Sequence, residues 1–259
     1  MGLAKLRLGG NPFCVFRTYE ELRELAVRLR SERITQARPA SSAQLILAQY
    51  HRAFWDLQAA LLGMESGQID QAPAEGEWPV RKVLAHIIGA ELGFYVVVRY
   101  ALERYRSGDG RPAEIGREAW EATSGMDEAS LGSVMGGSIE GLRDYHKTLH
   151  VRVLRDFADV SDAELDLPSM YWEKEPMSIR FRLNRFDSHL RQHTIQVDKT
   201  RVAIALIPNE AQRLLRLIFA ALADADGAVI GAWETGEQSR LELARTITAR
   251  AVEIARSSV

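Results

Sequence analysis

Eight prolines punctuate this chain of 259 residues, and each falls between long proline-free stretches or at the start of one. A proline inside a helix removes a backbone hydrogen bond and collides with the preceding turn, so this placement describes a succession of helices separated by breaks. No stretch alternates apolar and polar residues in the manner of a half-buried strand, and no segment repeats. The breaks predict a first helix beginning after Thr18, which stands at capping-box spacing from Glu21, and ending near Ile34 ahead of Pro39. A second helix starts at Ser41 or Ser42 and runs to Met64, and a third starts on Pro79, a residue suited to the first helical position, and reaches Arg106. The Gly- and Ser-rich segment from Ser107 to Ser138 reads as a crossover with one short helix around Trp120. Further helices are expected from Ile139 to Phe157, Ser178 to Ile204, Pro208 to Ala225 and Glu237 to Arg256.

The fold class is therefore all-α, with residues 1–40 as an N-terminal extension, 41–205 as a helical bundle and 206–259 as C-terminal helices packed on it. A hydrophobic fraction of 46% is ordinary for a globular core of this size. The single cysteine, Cys14, cannot close an internal disulfide and reads as a small buried hydrophobe, so any tight metal site must use His or carboxylate. A net charge of -2 offers no basic field for phosphate backbones, which argues against a nucleic-acid partner. Apolar runs such as Tyr95 to Val98 fall far short of the roughly 20 residues that cross a bilayer, and Met1 to Thr18 has no signal-peptide core. These features lead us to expect a cytoplasmic protein without a membrane partner.

His189 and His193 stand four residues apart on a predicted helix, one turn from each other and able to reach one ion. Ile179, Leu183, Phe186, Leu190 and Val197 form the apolar stripe there, and both histidines lie on one flank of it. His86 holds the same flank position on its own helix, beside a face of Val80, Val83, Leu84, Ile87, Phe94 and Val98, with small Ala90 and Gly93 leaving room next to the ring. A second pair, His146 and His150, has the same spacing and sits nearer the centre of its stripe, so phase alone favours neither pair as ligands. His51 reads as structural, and Glu91 as either an ion-pair partner or a base.

The segment Glu77-Trp78-Pro79-Val80-Arg81-Lys82-Val83-Leu84-Ala85-His86-Ile87 resembles the opening of the second bundle helix in the DinB/YfiT-like superfamily, where a Trp precedes a helix carrying the first metal histidine. Phe186-Asp187-Ser188-His189-Leu190-Arg191-Gln192-His193-Thr194-Ile195-Gln196 is similar to that family's later histidine helix. The likeness covers Ser41 to Arg201. It implies a bundle of four main helices with one divalent metal on His86, His189 and His193, zinc first, with nickel, iron or manganese as alternatives. His146 and His150 match no family motif and are expected to pack or hydrogen-bond.

The resemblance also implies chemistry on a small-molecule substrate: thiol-dependent transfer or isomerisation with an exogenous low-molecular-weight thiol, in a chain that forms a homodimer. A metal-assisted hydrolase and a non-catalytic metal-stabilised scaffold or stress-response binding protein are the alternatives. Arg182 and Gln196 share the flank of the histidine pair and Arg185 lies one turn before His189, so the three are candidates for binding an anionic substrate or thiol, with a solvated arginine face as the alternative. No phosphate loop, serine elbow or CxxC pair is present.

Overall fold

In a computed structural model that describes residues 13–173 and 175–257, the chain is helical nearly throughout. The helices are α1 (Phe13–Thr35), α2 (Ser42–Ala60), α3 (Ser66–Ile69), α4 (Val80–Arg106), α5 (Arg117–Ser124), α6 (Glu128–Gly136), α7 (Ile139–Phe157) and α8 (Asp162–Leu165). A short antiparallel pair, β1 (Pro168–Ser169) and β2 (Met177–Ser178), precedes α9 (Ile179–Ala203), α10 (Glu210–Gly227) and α11 (Glu237–Ser257).

The starts of the long helices follow local chemistry. Ser41 accepts from the Gln44 amide while the Gln44 side chain answers the Ser41 amide, and Ser138 and Ser178 cap α7 and α9 through their hydroxyls. Asn209 and Gln212 repeat the reciprocal cap at α10.

Departures from the predicted elements have equally local causes. α1 is already under way at Phe13, and Thr18 does not cap it: its hydroxyl lies inside the helix and accepts from Arg250 of α11. α2 stops at Ala60 because the chain turns through Gly63 at a φ of 75°. The crossover holds a second short helix, α6, started by Asp127 accepting from the Ser130 amide. The strand pair was not expected; at two residues per strand it is too short to show a period. The backbone of Cys14 lies in α1, and its side chain falls outside the described residues.

Packing makes a ring of four helices: α2 lies against α9, α9 against α4, α4 against α7 and α7 against α2. Val83, Leu84 and Ile87 from α4 meet Leu183, Phe186 and Leu190 from α9 inside that ring, each no more than 2% exposed. Burying side chains of this size contributes roughly 1.5–3 kcal/mol apiece, so the α4 and α9 pairing is held firmly. α4 is long and apolar enough to cross a bilayer by composition, but most of it is buried against its neighbours, as befits a core helix.

Outside the ring, α10 packs on α2 and α1 packs on α10 and α11. α1 buries Leu22, Leu25, Ala26 and Leu29, a helical stripe facing Ala225, Ala228 and Val229. Arg33 closes this layer. It is 4% exposed, donates to the Ala228 and Ile230 carbonyls at 3.0 Å each, and reaches Gln44 Oε1 at 2.6 Å. Arg33→Met would leave those acceptors buried and unmet, so urea denaturation should show a loss of about 3 kcal/mol. An unchanged midpoint would mean that the guanidinium does not bind the layers together.

Candidate metal centre

His86 projects from the second turn of α4, and His189 and His193 project from the middle of α9. Because Ser178 fixes the start of α9 and the Phe186, Leu190 and Val197 side chains fix its rotation, His189 and His193 face α4. The three rings meet. Their centroids lie 5.0 Å apart for His86 and His189, 4.6 Å for His86 and His193, and 4.4 Å for His189 and His193. Nε2 of His86 stands 3.2 Å from Nε2 of His189, and one nitrogen from each ring lies within 4.8 Å of the others.

The two α9 histidines are buried and His86 is exposed, so the cluster has one wall open to solvent. Edge-on contacts from Trp78 to His86 at 5.4 Å and from Phe94 to His189 at 5.7 Å limit rotation of the rings. His193 Nδ1 donates to Gln196 Oε1 at 2.8 Å, which leaves the lone pair on Nε2. Burial pushes the pKa of His189 down to about 3, with neighbouring His193, His86 and Arg185 adding to the effect. Burial, then His193, lowers that of His86 as well. Both rings are thus neutral at ordinary pH, the form that ligates a metal.

The donor set fits a divalent ion. Three nitrogens bound at roughly 2.0–2.1 Å to one tetrahedral ion stand about 3.3 Å apart, close to the separation of the His86 and His189 nitrogens. His189 Nδ1 is buried and has no hydrogen-bond partner among the described residues, while its other nitrogen faces only a second imidazole. Protein groups alone leave this ring poorly satisfied.

The remaining candidates fall in different places. Gln196 touches His193, as described. Arg182 is fully buried, with both terminal nitrogens 2.6 Å from the Glu173 carboxylate and Nε 3.3 Å from Ser169 Oγ. Arg185 is partly buried with its guanidinium 5.9 Å from the centre of the Phe94 ring. The room expected beside Gly93 is taken: a Cβ there would collide with the Tyr171 hydroxyl. Tyr171 and Trp172, in the loop joining β1 to β2, were missed because a loop has no period to read; the aromatic pair between Pro168 and Pro176 was the only signal.

His146, His150, His51 and Glu91 form a second polar cluster inside the ring of helices. Glu91, 0% exposed, receives hydrogen bonds at 2.9 Å from the Tyr50 hydroxyl and His146 Nε2. Trp55 Nε1, which can only donate, points at His51 Nε2, so His51 carries its hydrogen on Nδ1 and offers it to His150 Nε2 at 2.9 Å. Phe54 stacks on His150 at 3.8 Å. Burial, reinforced by His51 and His146, holds the pKa of His150 well below the ordinary value.

The sequence pattern of the DinB superfamily matches residues 49–197, a span that contains all three clustered histidines. No curated protein and no solved structure matches the chain.

The depressed pKa of His150 makes stability depend on pH. Above about pH 6.5 the ring is neutral in both folded and unfolded chains; below it the unfolded chain takes up a proton that the folded one resists. Stability should therefore fall as the pH drops below 6.5. Denaturation of the metal-free protein at about pH 6.5 and about pH 5 should show this fall, and His150→Gln should reduce it, the remainder coming from His189 and His86. A pH dependence unchanged in the variant would place the burden elsewhere.

Proposed function

Because the chain belongs to the DinB superfamily, we propose that it is a divalent-metal-dependent enzyme that uses His86, His189 and His193 as ligands and an exogenous low-molecular-weight thiol as co-substrate. The observation that carries this reading is the convergence of three imidazoles, one nitrogen from each lying within 4.8 Å of the others. Zinc suits three nitrogen donors best, with nickel, iron and manganese as alternatives.

When bound, such an ion would act as a Lewis acid whose charge, undiminished by three neutral ligands, favours the deprotonated form of a thiol or water reaching it. The chain's own groups prepare the place. Gln196 keeps the Nδ1 hydrogen of His193 turned away from the cluster, and Trp78 and Phe94 hold the other two rings. The exposed edge of His86 is where a small molecule can approach. Transfer or isomerisation then needs a thiol from outside, since Cys14 belongs to α1, the helix packed against α10 and α11.

Purified protein loaded with zinc should hold about one ion per chain by elemental analysis, and His86→Ala and His189→Ala should lose it while His146→Gln keeps it. Retention of full metal by both alanine variants would remove the proposed ligands. For the chemistry, zinc-loaded protein incubated with cysteamine and chlorodinitrobenzene should form the thioether faster than the spontaneous reaction, and His193→Ala should abolish the gain. If thiols neither react nor alter the visible spectrum of the cobalt-substituted protein, thiol transfer is wrong, and hydrolysis or a scaffold role takes its place.

A further inference from the structure

Arg182 and Arg185 lie one turn apart on α9, and among the described residues Glu173 is the carboxylate whose charge reaches both. Glu173 is engaged on both oxygens by Arg182, at 2.6 Å each, and this pair pins the loop between β1 and β2 onto α9. Arg185 has no hydrogen bond or ion pair from its guanidinium among the described residues; it lies over the face of Phe94, 5.9 Å from the ring centre. Two guanidiniums and one carboxylate leave a surplus positive charge in a partly buried place. A divalent ion on the histidines would enlarge that surplus.

Phe94 ties this charge to the cluster. Its ring stands 5.7 Å from His189 and 6.3 Å from Tyr171. The Tyr171 hydroxyl rests against Gly93, two turns beyond His86 on α4, and makes no hydrogen bond to any described residue. A cation with planar donors, a hydroxyl without a partner among the described residues and the Phe94 ring therefore stand together on the His189 side of the cluster. That combination suits a carboxylate attached to a small organic body: the guanidinium fork matches its two oxygens, and the hydroxyl can donate to one of them.

We infer that Arg185, assisted by the Tyr171 hydroxyl, is the anchor for a carboxylate group of the small molecule that the three-His centre acts on. The inference rests on the proposed metal-dependent reading, and either reactant, thiol or electrophile, can bring the carboxylate. Arg182, although next to it, is not part of the anchor because Glu173 already occupies its fork.

Calorimetric titration with benzoate, with benzamide as the uncharged control, tests this on the zinc-loaded and metal-free protein. Benzoate should bind and benzamide should not. Arg185→Gln should weaken benzoate by about tenfold or more and Tyr171→Phe by about threefold, with zinc stoichiometry unchanged in both. If Arg185→Gln does not fold by circular dichroism, Arg185→Lys, which keeps the charge and loses the fork, should bind benzoate more weakly than the native chain. Benzoate binding with native affinity in the folded Arg185 variant would overturn the anchor while leaving the metal reading intact. Loss of benzoate binding in the Arg185 variant of a chain that holds no zinc would overturn the metal reading alone. Titrations with N-acetylcysteine and with acrylate then identify the source, since the reactant that carries the carboxylate should lose about tenfold in Arg185→Gln. If neither is weakened, the anchor is wrong.

Discussion

Three imidazoles brought together from two helices have almost nothing to bond with except one another, and the rest of the molecule is arranged so that they stay there. A neutral imidazole offers one donor and one acceptor, and a buried ring leaves either unmet only at a penalty. His193 meets this demand through Gln196, and His86 through its exposure to solvent, whereas His189 is left with a second imidazole on one side and no partner on the other. A cation on the shared face would satisfy the nitrogens there. It would also set their protonation, because burial already holds His189 and His86 in the neutral form.

What maintains the convergence is ordinary hydrophobic packing. The apolar faces of α4 and α9 interlock inside the ring of helices, so a change in the rotation of either helix would bring polar flanks into the core. The second polar cluster shows the contrasting case. There Glu91 accepts from Tyr50 and His146, and Trp55 and His51 pass a hydrogen to His150, within a core closed to solvent, although Glu91 Oε1 and His150 Nδ1 have no partner among the described residues. Two histidine pairs of identical spacing thus end in different environments: one meets a third, exposed imidazole, and the other is sealed against a tyrosine, a carboxylate and a further histidine.

Helical content, most long-helix boundaries and the three clustered histidines were legible in the sequence, because caps such as Ser138 and Ser178 and the flank positions of His86, His189 and His193 are local properties. Choosing His189 and His193 over His146 and His150 was not. Helical phase placed the second pair deeper, and only the resemblance around Trp78 and His86 separated them. The fate of Gly93 was also illegible. A glycine on a helix flank reads as space, and nothing local says that Tyr171, nearly eighty residues later, will fill it. The two arginines teach the same lesson: identical in type and one turn apart, they differ because Glu173 arrives from a loop whose path the sequence does not encode in any period.

X-ray absorption at the zinc edge of the loaded protein addresses the central claim without relying on activity. The spectrum should show three imidazole nitrogens at roughly 2.0–2.1 Å, recognisable by multiple scattering from the rings, and at least one exchangeable oxygen donor. The shell should change when an external thiol is added, through the appearance of sulfur at roughly 2.3 Å. A shell with no imidazole scattering, or with fewer than three histidines in it, would contradict the assignment of His86, His189 and His193 as the ligands.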